Sequence, residues 1–209
     1  TGVSIGTFDI DGSSVNVNGN SGNGLTVEFD TVAGVTSFNL SDMSVSNNQG
    51  DQVKATFANM TDPIAINFND ATATGPGAGT GTGDGIDLTI DNTTVTSLQL
   101  DRINASSNNG DGLKLSILNG ASTPASSVDV GTFNNNGANG LNIVVTDSTA
   151  SIDVTNSTFD LLGTIASASN NGENGMLVQL DNADLTMGSV DQIIFDANGE
   201  AGIKIEGAT

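Results

Sequence analysis

Apolar and polar residues alternate along this chain in short bursts, each introduced by a turn rich in asparagine and glycine. Aligned on the first apolar residue after the turn, seven segments share one register: GNGLTVEF, GDQVKATF, GDGIDLTI, GDGLKLSI, ANGLNIVV, ENGMLVQL and EAGIKIEG. Apolar side chains then recur at every second position, as in Leu25, Val27 and Phe29, or Ile86, Leu88 and Ile90, or Met176, Val178 and Leu180. A period of two is that of a strand with one buried face. The anchors Leu25, Val53, Ile86, Leu113, Leu141, Met176 and Ile203 are separated by 28, 33, 27, 28, 35 and 27 residues.

A second pattern lies further along each period. Val3, Ile5, Phe8 and Ile10, and again Phe38, Leu40, Met43 and Val45, follow the spacing i, i+2, i+5, i+7. The break from two to three places predicts a corner between two short strands. Each period therefore holds three strands and three bends, with no helical pattern. The expected fold is all-β: one solenoid domain over residues 1–209, about seven coils of 27–35 residues, with equivalent positions in successive coils roughly 4.8 Å apart. An antiparallel sandwich would give alternating hairpins without a recurring register.

NNGDGLKL, NNGANGLNI, NNGENGMLV and ANGEAGIKI resemble the right-handed parallel β-helix repeats shared by pectate-lyase-like enzymes and many bacterial surface proteins and adhesins. The resemblance runs over essentially the whole chain. It implies a right-handed coil, in keeping with the general handedness of parallel crossovers. For the enzymes of this group it also implies clustered aspartates for calcium and a Lys or Arg base.

Composition narrows the chemistry. Of 209 residues 27 are Gly and eight are Phe, and Tyr, Trp, Cys and His are absent. Disulfides, thiol nucleophiles, His-dependent triads and the usual zinc sites are thereby excluded. Twenty-four acids face Lys54, Arg102, Lys114 and Lys204, for a net charge of −20. Such a surface repels nucleic acid, anionic lipid and polyuronates. No apolar run approaches the roughly 18 residues that span a bilayer.

Asn109, Asn136, Asn171 and Asn198 precede the turn glycines and are read as a stacked amide ladder holding a corner. After the glycine comes an acid in five turns: Asp51, Asp84, Asp111, Glu173 and Glu200. In register these would form a column of like charges, which is destabilising unless balanced. Two readings stay open. Lys54, Lys114 and Lys204, three or four places downstream, balance a solvated edge; or the five acids are ligands for Ca²⁺, with Asp84 and Glu173 lacking a nearby lysine. Asp129 and Asp153, outward in VDV and IDV, form a second acidic pair on the same reasoning. Three longer segments, Ala71–Gly85, Asn119–Ser127 and Asp160–Gly172, are loops, the last with Leu161, Leu162 and Ile165 as a lid.

The leading expectation is a non-catalytic structural or adhesive segment of a large secreted or cell-surface protein. Both ends stop inside a coil without a polar cap, so the segment is read as an excerpt of a longer rod that meets adjacent coils or copies of itself end to end. Its further partner is a surface glycan or protein, not nucleic acid or membrane. The alternative is a polysaccharide lyase or glycoside hydrolase, for which Arg102 beside Asp101 is the one arginine. Ice binding is a third reading, weakened because TVTS, TDSTAS and TNSTF do not fall into one outward column.

Overall fold

A computed structural model describes residues 6–12, 16–76, 83–155, 166–191 and 193–208. Among these residues the regular elements are strands, and no helix forms. The strand pairings are parallel.

Seven strands make the first sheet: Leu25–Asp30, Val53–Ala58, Ile86–Asp91, Leu113–Leu118, Leu141–Thr146, Met176–Asp181 and Ile203–Ala208. Every anchor pairs with the next, from Leu25 with Val53 to Met176 with Ile203, without a slip. Such fidelity follows from period two, because a one-residue shift would turn each apolar triplet to solvent. The chain is a parallel β-solenoid of about six turns.

The second sheet runs Thr7–Asp11, Ser37–Ser41, Ile64–Asn69, Val95–Asn104, Ser122–Thr132, Thr149–Thr155 and Asp184–Asp191. It bends into a short third face built by Asn16–Asn18, Ser44–Ser46, Thr72–Thr74, the ends of Val95–Asn104 and Ser122–Thr132, then Ala166–Ser167 and Ile193–Ile194. At the bend, Asp42, Asp70 and Arg102 take positive φ of 53°, 53° and 51°. This is the corner that the break in apolar spacing predicts.

A further left-handed column closes the first sheet: Thr31, Asn59, Asn92, Asn119, Asp147 and Asn182. Asn and Asp accept this conformation at low cost. They also bond between coils: Asn92 Nδ2 donates to Asn59 Oδ1 at 2.9 Å, Asn119 Nδ2 to Asp91 Oδ1 at 2.8 Å and Asn182 Nδ2 to Asp147 Oδ1 at 2.6 Å. The apolar periodicity carries no trace of it.

The core is a set of inward columns shared by all coils. Near the N-terminal end Phe38 packs edge-on against Phe57, with ring centroids 5.2 Å apart, and Phe29 stacks on Phe57 at 5.6 Å. Of the three long segments, 77–82 and 160–165 lie outside the described residues, and with them the lid of Leu161, Leu162 and Ile165. Most of Asn119–Ser127 is no loop: it joins the strand Ser122–Thr132, whose register shifts between Thr123 and Ser126.

Phe57 is fully buried at the centre of this cluster. Phe57→Ala is expected to lower the unfolding free energy by about 3–5 kcal/mol, read from denaturant midpoints.

Candidate functional site

The Asn/Gly turn is where polar chemistry concentrates. Counting back five residues from each anchor gives Asn20, Asn48, Asn108, Asn136, Asn171 and Asn198, and these form the ladder. Asn136 Oδ1 accepts from both the N–H and the Nδ2 of Asn108, at 3.0 and 3.1 Å. Asn171 Oδ1 does the same for Asn136, and Asn198 Oδ1 for Asn171. The rungs Asn48, Asn108, Asn136 and Asn171 are buried.

Two expectations are corrected. The rung in its coil is Asn108, not Asn109, because NNGDG has one residue fewer between the turn glycine and the anchor than NNGANG. The positive φ belongs to the residue before the rung, namely Asn47, Ser107, Asn135, Asn170 and Ala197. The turn glycines serve close approach instead. A Cβ on Gly137 would lie 2.2 Å from Asn109 O, and one on Gly172 2.1 Å from Gly137 O.

The ladder has one gap. Gly75 donates to Ser106 O, which puts the following Pro76 at rung level, and proline has no N–H to give. Asn108 Oδ1 is buried and has no partner there. On the other side Gln52, itself buried, folds back over Asn48. Its Oε1 accepts from the N–H and Nδ2 of Asn48, both at 3.0 Å, replacing the missing rung.

The five-acid column also divides. Asp51, Asp84 and Asp111 share one level with Asn23, Asn139 and Asn174, two residues before the anchor. There each side-chain oxygen holds the backbone of the next coil: Asp84 N–H donates to Asp51 Oδ1 at 2.9 Å, Asp111 N–H to Asp84 Oδ1 at 2.7 Å and Asn139 N–H to Asp111 Oδ1 at 2.9 Å. Glu173 and Glu200 sit one position earlier and are exposed. Their backbones stack in line with Gly110 and Ala138. The cause is the extra residue after the glycine in the later coils. Counting from the anchor reveals it; counting from the glycine hides it. Among the described residues no three acidic side chains gather as a group able to hold a metal ion.

Charge along this edge is balanced in part. Lys54 Nζ lies 3.3 Å from Asp87 Oδ2 and 3.9 Å from Asp51 Oδ2, and the Asp87 pairing raises the lysine pKa. Asp87, in register between Lys54 and Lys114, is the partner that sequence spacing missed. Lys204 pairs with Glu200 at 3.5 Å and Glu206 at 2.8 Å. Burial, helped by the charges of Asp111 and Asp51 and opposed by the Asp111 N–H and Lys114, pushes the Asp84 carboxyl up to about 7.

Arg102 is a corner clamp. It grips Asp70 through Nε and Nη2 at 2.6 and 2.7 Å, reaches Asp101 Oδ2 at 2.5 Å and bonds Asn69 Oδ1. The Asp70 bonds hold its proton more tightly than in free arginine, the opposite of what a catalytic base needs. Asp129 and Asp153 are not cross-strand partners: Asp153 opposes Ser127, and Asp129 opposes Thr155.

The third face has a column missed from the sequence. Asn16, Ser44, Thr72, Asn104, Thr132 and Ser167 stand in register. Beside them run Asn18, Ser46 and Thr74, then Ser106, Asn134 and Ser169 linked by backbone-to-side-chain bonds. Not one of these residues is charged, although the chain carries −20.

Asn136→Ala removes both the acceptor for Asn108 and the donor to Ala105 O and Asn171; a loss of roughly 2–4 kcal/mol is expected in chemical denaturation. Asp84 has a folded pKa near 7 against an ordinary value of 3.8. Its contribution is therefore complete below 3.8 and lost as pH rises through 7, at about 1.4 kcal/mol per pKa unit. Asp84→Asn, with the carboxamide that Asn139 already places at this level, is expected to raise Tm at pH 8 and flatten its pH dependence between 4 and 8.

No protein-family model, no curated protein and no solved structure matches this chain, and its likeness to the β-helix repeat proteins extends to a parallel β-solenoid fold and no further.

Proposed function

We propose that this chain is a non-catalytic, adhesive and structural segment of a larger secreted or cell-surface protein. The observation that carries this reading is the uncharged third face, with its two columns of hydroxyl and carboxamide side chains over six coils. Such groups both donate and accept hydrogen bonds. Regularly spaced on a stiff scaffold, they give many weak contacts that add by avidity. The acidic remainder keeps the molecule soluble and away from anionic surfaces.

The polar groups elsewhere favour structure over catalysis. Asp51, Asp84 and Asp111 each spend an oxygen on the next coil, and Arg102 is committed to Asp70, Asp101 and Asn69. The same engagement favours a solvated, lysine-balanced edge over a calcium row. A rise in Tm on calcium titration would reverse that preference, because a ligand of the folded state must stabilise it.

The test is retention of the chain on beads coated with neutral polysaccharide. Ser46→Asp, Thr74→Asp and Asn104→Asp, combined on the outward face, are expected to cut retention severalfold while leaving the melting curve in place. Unchanged retention sinks the adhesive role of this face. Release of reducing ends or unsaturated products from any glycan would put an enzyme in its stead.

A further inference from the structure

A row of strand irregularities crosses the second sheet. The register shifts between Val95 and Ser97, between Thr123 and Ser126, and, where Thr149–Thr155 meets Asp184–Asp191, between Ile152 and Val154. Bulges of this kind re-aim side chains and concentrate beside binding sites. Here they border a shallow depression of about 280 Å³, lined by Ser97, Gln99, Ser126, Ser127, Ser151 and Asp153, with Leu98 at its floor. The strands that contribute these residues are flanked on both sides by further strands of the same sheet, so the depression belongs to the body of the solenoid.

Its lining has a definite chemistry. Ser127 and Asp153 are direct cross-strand neighbours. Asp153 Oδ1 accepts the N–H of Ser189 at 3.0 Å, which fixes the carboxylate. Ser126, in register with the core residues Leu98 and Ile152, turns its side chain inward, so the hydroxyls that face the depression are those of Ser97, Ser127 and Ser151.

We infer that this depression is a subsite for one neutral sugar ring. The inference rests on the adhesive reading and gives it a ligand class. The volume lies at the small end of ligand sites, enough for a single ring. Hydroxyls and a carboxamide donate and accept in turn, as sugar hydroxyls do, and a fixed carboxylate suits a pair of neighbouring ones. A lone carboxylate here makes a poor metal site. The charge of −20 rejects uronates and sulfated sugars. With no Tyr or Trp in the chain to stack on a ring, each contact is weak, and useful affinity comes from a polymer meeting many copies.

Saturation-transfer NMR of the full chain with methyl glycosides of glucose, galactose, mannose and N-acetylglucosamine tests this, with methyl glucuronide as the charged control. At least one neutral glycoside is expected to bind in the millimolar range, and the glucuronide not to bind. Asp153→Asn keeps an acceptor for the Ser189 N–H and is expected to weaken binding about tenfold. Ser127→Leu with Ser151→Leu, both outward, fills the depression and is expected to abolish binding. Melting curves check that both variants fold; should the leucine variant fail, Asp153→Asn decides alone. No signal from any neutral glycoside, equal binding of the glucuronide, or undiminished binding in Asp153→Asn would each overturn the subsite. Retention on beads that persists without glycoside binding overturns the subsite while leaving the adhesive reading intact.

Discussion

A buried carboxamide needs both its donor and its acceptor satisfied, and inside this turn the coils above and below supply the partners, save where Gln52 caps Asn48. That requirement organises the molecule. Asn136 cannot be placed without Asn108 on one side and Asn171 on the other, and each of them depends on a neighbour in turn. The apolar columns supply the driving force for stacking and exclude a slip of one residue, but a slip of two keeps every apolar side chain inward, and it is the hydrogen-bond ladder that excludes it. The amides lock what the hydrophobic effect assembles. The turn glycines belong to the same constraint, since a side chain at Gly137 or Gly172 would hold the coils apart and break the bonds.

The fold was legible because its two strongest signals are local. Leu25, Val27 and Phe29 announce a strand, and the recurrence of that triplet announces stacking. The spacing from Leu40 to Met43 even located a corner. The site was legible only in part. Asp51, Asp84 and Asp111 do stand in one column, but Glu173 and Glu200 belong to another level, because one inserted residue shifts a turn without disturbing the strand that follows. Asn109 was mistaken for Asn108 for the same reason. Asp87 stands one place after its anchor, as Lys54 and Lys114 do, and escaped because the lysines were matched to acids along the chain and not across coils. The third-face column escaped because coils of unequal length separate its members by no constant spacing.

Two kinds of polar surface result from this construction. Where the chain turns, side-chain oxygens point into the stack and are consumed by backbone N–H groups, so the acids there work as structural rungs. Where the chain runs straight, side chains alternate outward, and the solenoid repeats whatever residue type it is given at every coil. The uncharged face therefore extends only over the coils that set a hydroxyl or carboxamide there, and it ends where the next coil brings Ile194 and Asp196 into the same columns.

The interruption at Pro76 divides the asparagine ladder into two stacks. Gln52 finishes the first, and Asn108 begins the second. Because Gln52 closes the first stack, no rung of it is left unmet at the boundary. The same boundary is bridged at the neighbouring level, where Asp84 N–H donates to Asp51 Oδ1 and Asp111 N–H to Asp84 Oδ1, and by Lys54 with Asp87. The asparagine ladder is thus spliced and not severed, because the acid level runs past Pro76 unbroken and ties its two parts into one stack.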